Sequence, residues 1–177
     1  MESDIVTLES QRTLYRELSI AFFSALAEAD ISRIASVQDR LLACGGVVRD
    51  RREFIERYKR FGLTIAVAKS SFDHERTHQE VAKKHGVKTE IVLFSFIAED
   101  GGNLAIPSIR FNIKDLKRIQ GSGKSLRLVL GEILDAPKTK GFDYPLEQKV
   151  ADYLLGRINE KPDIESLVRY VDEPMQD

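Results

Sequence analysis

At 177 residues, with 42% hydrophobic and 31% charged residues, the chain has the composition of one globular domain with a real core, and is too short for two generous ones. A formal net charge of −1 offers no general attraction for nucleic acid or an acidic membrane, so neither is expected as a partner. The lone cysteine, Cys44, excludes an intrachain disulfide and fits a reducing cytoplasm. The start, MESDIVTLESQRTLYRE, has no apolar core of signal-peptide length, and no run approaches the ~18 apolar residues of a membrane span.

Taken in order, the first third reads as helices joined by short turns. Leu14, Leu18, Ala21, Phe22, Ala25 and Leu26 keep a helical period between about Leu8 and Ala29. Asp30 is placed to cap a second helix with Ile31, Ile34, Val37, Leu41 and Leu42 on its buried face, stopped by Gly45-Gly46. Asp50 caps a third, carrying Phe54, Ile55, Tyr58 and Phe61 and ended by Gly62. This helix is basic (Arg49, Arg51, Arg52, Arg57, Lys59, Arg60), but Asp50, Glu53 and Glu56 interleave, so a solvated face of acid–base pairs is expected rather than a nucleic-acid patch.

Leu63 to Ala68, short and partly β-branched, reads as a strand. Asp73 then caps a helix from His74 to His85, with Gly86 as its terminating residue. The clearest strand is Glu90 to Ala98. Val92, Phe94 and Phe96 alternate with Ile91, Leu93 and Ile97, so both faces are apolar and the strand should be central or covered twice. After a turn at Glu99 to Asn103, Leu104 to Phe111 returns as a partner strand, and Pro107 marks it as an edge or a bulge. Helices follow over Ile113–Ile119, Lys124–Leu134, Pro145–Ile158 and Asp163–Tyr170. The expected fold is α+β: a small, mainly antiparallel sheet packed in a predominantly helical single domain. Its parts are helical over 1–61, strands plus one helix over 62–111, and helical over 112–177.

The chemistry concentrates in DHERTHQEVAKKHG, which holds all three histidines, His74, His78 and His85. On a helix, His74 and His78 share a face about 6 Å apart along the axis, a spacing that lets two imidazoles grip one metal ion. Glu75 is swung about 100° from His74, where it can work on a water at the metal. The face of His74, His78, Val81, Ala82 and His85 is partly apolar and should look inward. Asp73 offers itself as an acceptor for a ligand imidazole as well as a cap. His85 lies seven residues beyond His78, about 10.5 Å farther along a continuous helix, and is read as a terminal residue that suits the helix dipole.

His74-Glu75-Arg76-Thr77-His78 resembles the signature of the zincin metallopeptidases. The resemblance covers this helix. It implies His74 and His78 as zinc ligands, Glu75 as general base and proton shuttle, and hydrolysis of a peptide or protein substrate through a metal-activated water. A gluzincin-like third ligand, a glutamate from a later helix, fits best. Glu132, an acid embedded in the apolar run Leu128-Val129-Leu130-Gly131-Glu132-Ile133-Leu134-Asp135, is the candidate, with Asp135 behind it.

Gly121-Ser122-Gly123-Lys124-Ser125 resembles the end of a phosphate-binding P-loop, but Arg118 stands where the pattern needs glycine and the preceding segment is charged and helix-like. A glycine joint before a helix is the better reading. The alternative for the whole chain is a non-enzymatic α+β interaction or regulatory protein whose histidines never bind metal.

Overall fold

The computed structural model describes residues 8–43, 45–59, 65–97, 103–136 and 145–167. Two antiparallel helices come first, α1 (Leu8–Ala27) and α2 (Ile31–Ala43). The backbone N–H of Arg33 donates to Asp30 Oδ1 at 3.2 Å, the cap that the sequence implies for α2. The glycine pair that ends α2 then enters the sheet as β1 (Gly45–Val48), a strand too short to show an alternation of its own. Asp50 caps α3 (Arg51–Lys59), accepting from the Glu53 N–H at 2.9 Å. Arg49 and Arg57 pair with Glu53 and Arg52 with Glu56, the acid–base pairs along this surface that the sequence implies, while Arg51 reaches across to Asp73.

The sequence reading fails at 65–73. Helix α4 runs unbroken over Ile65–Lys84, so the strand expected at 63–68 is helix where it is described, and Leu63 and Thr64 lie outside the described residues. A six-residue, mostly apolar run is too short for its period to separate helix from strand. Two of its members, Ala66 and Ala68, are strong helix formers. Asp73 is accordingly an interior residue of α4, not its cap. The consequence for the site is direct, because His74 and His78 now sit in the middle of a twenty-residue helix.

Strands β2 (Thr89–Ile97) and β3 (Asn103–Phe111) complete a three-stranded antiparallel sheet in the order β1-β2-β3. β2 is central, and Pro107, opposite Leu93, lies on an edge strand where its missing N–H costs no ladder bond. On one face of β2, Ile91 and Leu93 pack with Val48 against Phe54 of α3 and Phe72 of α4, whose rings meet edge-on at 5.4 Å. Val92 points the other way into the main core, built from α1, α2 and the later helices. Two buried or half-buried amides lock helices onto strand backbone. Gln38 of α2 donates to the Phe111 carbonyl at 3.1 Å and accepts from its N–H at 2.7 Å, and Gln79 of α4 donates to the Thr89 carbonyl at 3.1 Å.

The remaining helices are α5 (Ile113–Gly121), α6 (Leu126–Asp135), α7 (Pro145–Leu154) and α8 (Ile164–Leu167). The Gly-Ser-Gly-Lys-Ser joint follows helix α5 rather than a strand, and Ser125 caps α6 by accepting from the Leu128 N–H. At the end of α4, Gly86 takes φ +77°, and the N–H groups of Gly86 and Val87 return to the Lys83 and Ala82 carbonyls. This double closure requires the left-handed residue that glycine supplies without strain. Inside α6, Gly131 costs about 1 kcal/mol in helix propensity relative to alanine. It is fully packed against α7, so the missing side chain is used for close approach. The fold is α+β, a small antiparallel sheet in a mainly helical frame, as the sequence implies. Among the described residues no helix is long and apolar enough to cross a membrane.

Candidate metal centre

His74, Glu75 and His78 project from the middle of α4 into the interior, with relative exposures of 3%, 6% and 1%. Three polar side chains so deep in a helix–helix interface need partners, since burying them unpaired is costly. For the two histidines that partner is Glu147, in the first turn of α7. Its Oε1 stands 2.7 Å from His78 Nε2 and 3.3 Å from His74 Nε2. The two imidazole rings are 5.0 Å apart and nearly perpendicular, so their Nε2 atoms converge on one carboxylate.

One ligand atom from each of His74, His78 and Glu147 lies within 4.8 Å of the others, a group that could hold a metal ion. Donors about 2.0–2.2 Å from a common zinc ion stand roughly 3.3 Å apart. The His74–Glu147 distance of 3.3 Å already has that value, while 2.7 Å between His78 and Glu147 is the length of a charge-assisted hydrogen bond. The His78–Glu147 line is that of a hydrogen bond, with the proton between the two groups.

The orientation of His78 is set from behind. Its Nδ1 lies 2.7 Å from the Ile133 carbonyl of α6. A carbonyl can only accept, so Nδ1 carries hydrogen and donates. That leaves Nε2 to face Glu147, and the neutral tautomer so fixed is the one that can ligate a metal through Nε2.

The electrostatics follow from burial and charge. Burial disfavours the His78 imidazolium, but the Glu147 carboxylate, with Glu75 and the Ile133 carbonyl, outweighs it and lifts the His78 pKa to about 9. Burial likewise works against ionised Glu147, and the charges of His78 and His74, with their hydrogen bonds, overcome it and pull its pKa down to about 2. Glu75 goes the other way. Desolvation raises its pKa, and Glu147 adds to the rise against the opposing pull of His78 and His74. Glu75 is almost wholly buried beside the pair. No protein-family model, curated protein or solved structure matches the chain.

Of the residues singled out in the sequence, the structure brings together His74, His78 and Glu75, and it does not bring Glu132 to them. Glu132 lies on the outer face of α6, its side chain 52% exposed, and pairs with His85 at the end of α4. The buried stripe of α6 is Leu126, Val129, Leu130, Ile133 and Leu134, which leaves Glu132 on the opposite side. Leu128, itself 48% exposed, had made the helix look apolar all round. Asp135 is not at the cluster either; it binds Gln148 and Arg157. Asp73 pairs with Arg51, and its carbonyl, not its carboxylate, receives the Thr77 hydroxyl.

Glu147 was missed, although a signal existed. It begins the stripe Glu147, Val150, Ala151 and Leu154, whose last three members are buried at 2% exposure or less. A carboxylate heading an otherwise apolar stripe is the buried acid that the reading of Glu132 was looking for.

Proposed function

We propose that this chain is a zinc-dependent metallopeptidase of the HExxH type, gluzincin-like in drawing its third ligand from a later helix. The observation that carries the reading is Glu147, which arrives from α7 to meet the two histidines of α4 with their Nε2 atoms already converged. His74, His78 and Glu147 are the ligands, and the Ile133 carbonyl orients His78. Zinc bound there polarises a scissile carbonyl and lowers the pKa of a water toward about 7. Glu75 is the general base: burial raises its pKa and so its affinity for a proton, which suits it to take one from the water and pass it to the leaving amine. The substrate class is a peptide or protein, acted on in the cytoplasm, where the single cysteine remains a thiol.

The test is the zinc content of the purified, tag-free protein, measured by elemental analysis beside His78→Ala. About one zinc per chain, lost in the variant, supports the reading and leads to peptidase assays with Glu75→Gln as control. No zinc in the wild type, even after loading and dialysis, overturns it. One observation favours the second reading, an interaction or regulatory protein: the His78–Glu147 pair is a satisfied buried ion pair as it stands. That reading predicts a folded protein that takes up no zinc and loses nothing with Glu75→Gln.

A further inference from the structure

Within the stretch of α6 from Gly131 to Asp135, one residue meets the candidate centre and two others hold the segment that carries Glu147. Ile133, in the middle, lends its carbonyl to His78. Two residues earlier, a Cβ at Gly131 would fall 2.9 Å from Leu155 Cδ2 and 3.0 Å from Leu154 Cβ, both of them too close. The Leu155 side chain can turn away. Leu154 Cβ is fixed to the backbone of α7, so its contact with Gly131 sets how near the two helices come. Leu154 and Glu147 are seven residues apart and share one stripe of α7, about 10.5 Å apart along its axis.

Two residues after Ile133, the Asp135 carboxylate accepts from Gln148 Nε2 at 2.9 Å and from both terminal nitrogens of Arg157 at 2.7 and 2.9 Å. Gln148 and Arg157 also hold Asp152, each at 3.0 Å. Gln148 is the chain neighbour of Glu147, so this knot fixes the rotation of the first turn of α7. The forked arginine contact adds direction as well as strength.

We propose that Gly131 and Asp135 are positioning residues for the metal centre, acting through α7 to bring Glu147 onto His74 and His78. The proposal rests on the metal reading above. Gly131 sets the distance between α6 and α7, and Asp135 sets the turn of α7 about its axis. Neither touches the ion. Alanine is a better helix former than glycine, so Gly131→Ala strengthens α6 taken alone. A loss of metal binding in that variant therefore reports the gap between the helices, not a weaker helix.

The experiment is a cobalt(II) titration of the metal-free full chain, followed by the visible absorption of the bound ion, with circular dichroism of each variant as the check of folding. The wild type is expected to bind about one cobalt with the intense band of a low-coordinate site. Gly131→Ala is expected to bind at least about tenfold more weakly with a shifted or weakened band, and Asp135→Asn about three- to tenfold more weakly, the scale of outer groups that hold a ligand in place. Folded variants with the wild-type affinity and band overturn the proposal. Should Gly131→Ala fail to fold, Asp135→Asn and Arg157→Gln decide it by the same comparison, since both change partly exposed groups. A wild type that takes up neither cobalt nor zinc overturns the metal reading itself. A wild type that binds, beside variants that bind equally, overturns only the positioning roles.

Discussion

Helix α4 offers a histidine to a glutamate of a later helix twice, and the two pairings differ in nearly everything else. His78 meets Glu147 in the interior, with side-chain exposures of 2% and 13%. His85 meets Glu132 at the end of the helix, with exposures of 26% and 52%. The first pair is ringed by a second imidazole, the buried Glu75 carboxyl and a backbone carbonyl, and its members' pKa values are driven to about 9 and about 2. The second pair joins two helix surfaces by direct contact at an exposed position. The same two residue types thus make part of a buried group that could hold a metal ion, or an ordinary surface contact. Burial decides which, because charges in a low-dielectric interior interact strongly while exposed ones are screened.

The largest separation between the two is expected in metal binding. Glu147→Ala should abolish zinc uptake, and Glu132→Ala should leave about one zinc per chain; elemental analysis of both after the same loading and dialysis checks this. Equal retention by both variants breaks the comparison. Next in size is catalysis. If the proposed activity holds, Glu75→Gln is expected to keep zinc and to lose about 10²–10⁴-fold in peptide hydrolysis, the usual worth of a general base, in a steady-state assay of the zinc-loaded protein.

Stability comes third. In the metal-free protein, His78→Ala strands the Glu147 carboxylate in the interior and is expected to cost about 3–5 kcal/mol by denaturant unfolding in the presence of chelator. His85→Ala should cost less than about 1 kcal/mol, because its partner stays hydrated. The smallest effects lie in pH dependence. The folded pKa of His78 is raised, so its contribution to metal-free stability is complete below about pH 6.5 and is lost as pH rises through about 9. That of Glu147 is depressed, so its contribution is present above about pH 4.5 and is lost as pH falls toward about 2. Glu75 has a raised pKa, and its ionisation erodes stability as pH climbs above the ordinary carboxylate range. Glu75→Gln should therefore stabilise the metal-free protein at neutral pH, on the order of 1 kcal/mol. Thermal unfolding across the pH range, wild type against this variant, measures both trends. Zinc must displace the His78 proton, so its affinity should rise with pH up to about 9.

Much of the architecture was legible. Asp30 and Asp50 announced the caps they make, Gly86 ended α4, and the two-faced apolar run around Val92 marked the central strand. What misled was local. The segment Leu63 to Ala68 was too short for periodicity to speak, and the serines and Asp73 after it had the residue types of a helix start while lying inside a helix. β1 carries two glycines and no alternation, and it is a strand because β2 supplies the ladder.

The sequence by itself determined the bidentate half of the site. Four residues make just over one helical turn, so a helix through His74 and His78 must present both imidazoles to one side and Glu75 to another, whatever surrounds it. Only the tertiary structure decided which acid completes it. Glu147 stands 69 residues beyond His78, and no local rule sets it above Glu132, which is nearer and sits in a more apolar stretch. The choice follows from how α6 and α7 pack. Gly131 admits α7 close to α6, and the α7 stripe headed by Glu147 turns inward as Glu132 turns out to water.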